Sequence, residues 1–159
     1  IQHGFGGAKL NDIVHYAPRL VTAYRPRAVV VFAGTNDIDP RAQKTPAALL
    51  ESYQAFVRVI DKAMPELPIY YIGITPSPMR WSVWPVAQEA NRLIKEWSDT
   101  RNNLHFIDTS KVLLSDDGEP DGENYVIDGL HLSDQGYGRW TAVIRPRLLK
   151  EIGALRQGQ

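Results

Sequence analysis

The sequence contains no cysteine. Disulfides and thiolate metal sites are therefore excluded, although this does not separate a bacterial cytoplasm from the periplasm or the cell exterior. Neither sign of charge is in excess, because 18 Lys and Arg stand against 18 Asp and Glu. No broad field then attracts nucleic acid or an anionic membrane, and partners are expected to be recognised locally. No apolar run approaches the roughly 20 residues of a membrane span, and the opening IQHGFGG has neither the charged nor the apolar region of a signal peptide. His3, His15, His105 and His131 show no paired-ligand spacing, so no metal is expected, and His105 reads as a structural histidine. Gly4-Phe5-Gly6-Gly7-Ala8-Lys9 lacks the third glycine of G-x-G-x-x-G and the G-K-[ST] of a P-loop. That disfavours a nucleotide-binding module, and no cofactor is expected. Internal repeats, low-complexity tracts and linkers are also missing.

What is present suits one domain spanning residues 1–159, long enough to bury roughly 68–70% of its unfolded surface. The run Ala28–Phe32 is β-branched and aromatic without polar alternation, the pattern of a central parallel strand covered on both faces. It ends in Gly34-Thr35-Asn36-Asp37, a loop at the C-terminal end of that strand, where open α/β sheets bind ligands. Before it, Ile1–His3 reads as the end of a strand. Leu10 to Tyr24 have helical spacing, with Asn11 as a cap and a break at Pro18. After it, Thr45-Pro46 is a cap followed by proline at the first helical position, opening an apolar stripe from Leu49 to Met64. Ile69–Thr75 is the next strand, Trp84 to Arg101 a helix, Leu104–Asp108 a last strand, and Asp134 to about Ile152 a closing helix kinked at Pro146. Strands alternating with helices predict a parallel sheet between helical layers.

Asp128 and His131 fall between the last strand and the last helix, for which Ser133 is the expected cap. In a tight turn, a carboxylate three residues before a histidine can reach the imidazole Nδ1–H. This fixes the tautomer and leaves Nε2 as a base. A D-x-x-H pair alone also fits an ordinary surface turn. Asn36 adds weight, since a side-chain amide at a strand end can donate to a developing oxyanion, and a backbone N–H of the Gly6-Gly7 turn would be a second donor.

With these residues in place, the chain resembles the SGNH (GDSL-type) hydrolases, serine esterases and acylhydrolases on a flavodoxin-like, three-layer α/β/α fold. GFGGA matches the family's second block, GTND its third and DGLHLSDQGY its fifth. The resemblance implies that Gly7 N–H and the Asn36 amide form the oxyanion hole, that His131 is the general base and that Asp128 orients it. It implies a small-molecule ester as substrate, with short-chain or acetyl esters, on carbohydrate among others, as the class. Arg80, Trp81 and Trp84 are candidates for lining a substrate pocket, with packing of both tryptophans against the core as the alternative.

The family's first block, a G-D-S motif with the nucleophile, has no counterpart here. Ser52 and Ser98 lie on helices, Ser110 and Ser115 follow the last strand outside any Gly-flanked elbow, Ser133 is a cap, and Ser77 and Ser82 follow a strand and could approach the site, although the adjacent prolines suggest loop shaping. The expectation is an N-terminally incomplete domain, missing its first strand and needing an N-terminal segment of its own polypeptide as partner. A non-catalytic, ligand-binding relative remains the other reading.

Overall fold

The computed structural model describes residues 1–41 and 44–157. Its sheet holds β1 (Val29–Phe32), β2 (Ile69–Ile72) and β3 (Leu104–Ile107) in the order β1-β2-β3, parallel, with Val29 opposite Ile69 and Ile69 opposite Leu104. Helices α2 (Pro46–Ala63) and α3 (Trp84–Ser98) make the crossovers, preceded by α1 (Leu10–Leu20) and followed by α4 (Asp134–Gln157). The three layers follow from side-chain alternation on β2. Ile69 and Tyr71 enter the core shared with α1, α2 and α3, while Tyr70 and Ile72 join Trp140 and Ile144 of α4 on the other face.

Helix α2 begins as its sequence dictates: Thr45 Oγ1 accepts Ala48 N–H at 3.2 Å, and Pro46 needs no hydrogen-bond partner there. Its stripe of Leu49, Tyr53, Phe56, Val57 and Ile60 is completely buried. Each such side chain contributes roughly 1.5–3 kcal/mol relative to exposure.

Four expectations change. Asn11 is not the cap of α1. Asp37, 27 residues away, accepts Leu10 N–H at 2.9 Å, and Asp12, in the helix's own first turn, accepts Lys9 N–H at 2.9 Å, so two carboxylates meet these free donors. Pro18 does not break α1: it forfeits its own N–H bond one turn before the helix ends, but the helix runs on to Leu20 and Val21 N–H still reaches Ala17 O at 2.9 Å. Ile1–His3 is irregular, with Ile1 93% exposed, because among the described residues no strand lies beside it to pair with. Finally, β1 is an edge strand among the described residues. Val29 and Val31 are buried, but Val30 and Phe32 are 44% and 46% exposed. The central strand is β2, buried at every position. Helix α3 stops at Ser98, and before β3 the chain turns through Arg101, which pairs with Asp61 at 2.7 Å. Among the described residues no helix is long and apolar enough to cross a membrane.

Where α4 starts, Ser133 caps it by accepting Gly136 N–H at 3.1 Å, and Ser133 N–H binds Asn124 O at 2.9 Å. A Cβ on Gly136 would lie 2.1 Å from that Asn124 carbonyl, whereas one on Gly138 would meet nothing within 4 Å. Alanine normally stabilises a helix interior over glycine by about 0.5–1 kcal/mol. Gly138→Ala is therefore expected to raise stability by that amount. Gly136→Ala is expected to lower it by about 1–3 kcal/mol through overpacking. Denaturant midpoints of the two variants check the opposite signs.

Candidate active site

The turn from Tyr125 to Leu132 is closed by backbone hydrogen bonds, Val126 N–H to His131 O and Gly129 N–H to Val126 O, both 2.9 Å. Within it Gly129 takes a φ of 63°, the left-handed region that favours glycine. This brings the Asp128 side chain back over the turn, where Oδ1 accepts Leu130 N–H at 2.8 Å and His131 N–H at 2.9 Å. Oδ2 lies 2.6 Å from His131 Nδ1. A carboxylate only accepts, so Nδ1 carries the proton and Nε2 presents its lone pair. The imidazole contact, then the two backbone N–H groups, hold the Asp128 carboxyl down at about 2. The His131 side chain is 72% exposed. Among the described residues nothing hydrogen-bonds its Nε2.

The loops carrying Gly7 and Asn36 are bound to each other. Asn36 Nδ2 donates to Ala8 O at 3.1 Å, and Asp37, with no exposed surface, accepts Leu10 N–H from the same stretch of chain. Lys44 Nζ meets the other Asp37 oxygen at 2.8 Å. Gly7 has a φ of 74°, in an exposed turn with open space around it. Gly34 starts the second loop at a φ of 118°, and a Cβ there would lie 2.7 Å from Ile74. Glycine is required at that strand end on both counts.

Arg80 and Trp81 lie on a short 3₁₀ turn, Pro78–Val83, and Trp84 begins α3. The aromatic pair stacks at 6.2 Å, with Trp84 6% exposed in the main core and Trp81 packed partly buried beside it. Arg80 Nη2 turns toward Asp39 Oδ2, at 2.6 Å. The same segment meets the His131 turn through Met79 N–H to Gly129 O, 2.9 Å, and Tyr125 Oη–H to Pro76 O, 2.6 Å. Sequence reasoning missed Asp39 and Tyr125. Each sits next to a recognised motif, GTND and DGLH, which is the only local signal they give.

Among the described residues no serine hydroxyl is hydrogen-bonded to His131. Ser52, Ser98, Ser115 and Ser133 donate to backbone carbonyls, Ser110 to Asp108, and Ser77 is buried without a partner among the described residues. Among the described residues, His105 stacks on Tyr70 at 4.5 Å, and no cluster of three or more side chains could hold a metal.

This parallel sheet, with its motif loops at one edge, is that of an α/β hydrolytic enzyme family. The chain belongs to the GDSL-like lipase/acylhydrolase family, whose model matches residues 1–139. A carbohydrate esterase of family 3 from Talaromyces cellulolyticus superposes with a TM-score of 0.80 at 19% identity, over 95% of this chain and 71% of that one. A family 3 carbohydrate esterase from Clostridium thermocellum gives 0.76 at 16% identity, over 97% and 71%. A GDSL-like lipase from Bacteroides thetaiotaomicron gives 0.77 at 18% identity, over 95% and 76%. At these identities the likeness is one of fold. No curated protein matches the sequence.

The low carboxyl of Asp128 has a signed consequence. Its value in the folded chain, about 2, lies below its ordinary 3.8. The stabilisation it gives is therefore complete above the ordinary value and is lost as pH falls toward the folded one. The stability advantage of wild type over Asp128→Asn is expected to shrink as pH falls from about 5 toward 2. Urea unfolding at a series of pH values reads this directly.

Proposed function

We propose that the protein is a serine-type ester hydrolase for short-chain or acetyl esters, with acetylated carbohydrate as the favoured substrate class. The observation that carries this reading is the 2.6 Å contact between Asp128 Oδ2 and His131 Nδ1, in a chain of this family whose Asn36 loop is hydrogen-bonded to the Gly7 loop. The carbohydrate part is supported by the fold shared with carbohydrate esterases, an acetyl-xylooligosaccharide esterase among them.

In this mechanism a serine hydroxyl attacks the ester carbonyl while His131 Nε2 takes its proton and Asp128 stabilises the imidazolium. The oxyanion is met by the Asn36 amide, which keeps one N–H beyond the one given to Ala8, and by Gly7 N–H. His131 then protonates the leaving alcohol, and water releases the acid by the reverse sequence.

No serine among the described residues hydrogen-bonds His131, so the nucleophile is assigned to a further segment of the same polypeptide. Its seat is the free edge of β1. An apolar groove of about 490 Å³ runs there, lined by residues including Phe5, Leu20, Tyr24, Val30 and Phe32. A strand laid along it would pair the open backbone groups of β1.

The same serine geometry favours a second reading, a ligand-binding relative that performs no acyl transfer. Short-chain nitrophenyl esters and a serine-directed phosphonate, applied to the whole gene product, separate the two. The hydrolase reading expects turnover, and phosphonate labelling of a serine outside these 159 residues. A folded, unlabelled, inactive protein refutes it. His131→Ala should remove essentially all turnover. Asp128→Asn should lower kcat on the order of 10⁴-fold by favouring the wrong tautomer. Asn36→Ala should cost about 2.7–4 kcal/mol of transition-state stabilisation with KM little changed.

A further inference from the structure

Two hydrogen-bonded bodies carry the proposed machinery. In one, Asn36 and Asp37 bind the Gly7 turn through Ala8 O and Leu10 N–H. In the other, the segment Pro76–Met79 is clasped to the His131 turn at both ends, by Tyr125 Oη–H to Pro76 O and by Met79 N–H to Gly129 O. The clasp is close-fitting: a Cβ on Gly129 would lie 3.2 Å from the Pro78 side chain. Beyond the strand ends, one body is joined to the other by the Arg80–Asp39 ion pair, 2.6 Å long with side chains 11% and 10% exposed. Asp39 immediately follows the GTND loop and Ile38, and Arg80 immediately follows the clasp.

We infer that Arg80 is a positioning residue whose ion pair with Asp39 sets the distance between the His131 turn and the Asn36–Gly7 oxyanion donors. The inference rests on the hydrolase reading above. General base and oxyanion donors must sit on opposite sides of one reacting carbonyl. A misplacement of about 1 Å between them costs on the order of 100-fold in rate. Loops attached only through their strands could drift that far, and a short pair between largely buried partners resists it. Arg41 also binds Asp39, at 2.9 Å, but is 90% exposed and reaches neither body of the site beyond Asp39 itself, so it cannot act as the strut. Its removal should leave the separation unchanged.

Arg80 differs from a substrate-binding arginine in what its loss does. A strut acts through Asp39, so removing either end should have the same effect. Removing Asp39 alone leaves the Arg80 charge largely buried and without this partner, which threatens folding, whereas removing Arg80 alone leaves Asp39 its contact with Arg41. The double variant Arg80→Met/Asp39→Asn leaves no such charge and is the decisive protein.

The test measures kcat and KM for nitrophenyl acetate on the whole gene product, with active sites counted by phosphonate titration and folding followed by circular dichroism. The inference expects kcat of the double variant to fall about 10- to 100-fold with KM within about twofold of wild type. Folded single variants should match the double, without adding to one another. Arg80→Lys, which keeps a charge for Asp39, should recover part of kcat, and Arg41→Met should be unchanged. Wild-type kcat in the folded double variant overturns the inference and leaves the hydrolase reading standing. A rise in KM confined to the Arg80 variants also overturns it, in favour of direct substrate contact. A wild-type protein without turnover overturns both.

Discussion

A carboxylate out of reach of water keeps its charge only where donors surround it. Asp37, with no exposed surface, meets that demand with the first N–H of α1 on one oxygen and Lys44, just before α2, on the other. The consequence reaches beyond the residue. The Gly7 loop, the start of α1 and the approach to α2 are drawn to the end of β1, and Asn36 is carried to the Ala8 carbonyl. The dipole at the N-terminus of α1 faces this carboxylate, which adds to the cap that Asp12 supplies from the helix's own first turn. Without Asp37, the amide–carbonyl hydrogen bond from Asn36 to Ala8 would be left to hold the Gly7 and Asn36 loops together among the described residues.

The sheet imposes the second constraint. The two faces of β2 feed separate cores, so its neighbours are fixed in register from Val29 opposite Ile69 through Ile72 opposite Ile107. The strand ends therefore lie side by side, and the loops at Asn36 and Pro76 emerge at one edge. Tyr71 locks the arrangement by donating its hydroxyl to Ala33 O at 2.6 Å, a bond whose burial pushes the phenol far above its ordinary range. Phe32 and Val30 lack such cover. Among the described residues β1 is the edge of the sheet, and there Val30 and Phe32 stay half exposed even though Phe32 meets Trp140.

What could be read from the sequence was what depends on near neighbours. The Thr45-Pro46 cap and the Asp128–His131 contact are made within a single turn, so composition and spacing suffice. The Asn11 cap failed because a donor group is indifferent to where its acceptor lies along the chain, and Asp37 arrived from 27 residues away. The reading of β1 as a central strand failed for a related reason. An unbroken apolar run reports what a strand could bury, whereas its actual burial is set by the strands beside it. Tyr125 and Pro76, 49 residues apart, and Arg80 with Asp39 were invisible for the same reason. In the site, each motif was legible and the bonds that join the motifs were not.

The exposure of His131 bears on how such a site must work. Hydrogen bonds and charges aimed at a reacting group are worth far more where water is excluded than in its presence. Here the histidine is 72% exposed and its aspartate partner 38%, so the dyad is correctly oriented but still in water. Orientation can come from a turn of a few residues; exclusion of water cannot. It requires surfaces brought in from outside the turn, a bound substrate first among them. The orienting elements and the enclosing ones are thus separable in this chain. A dyad can be fully formed in the fold while its electrostatic strength develops only as the site is covered.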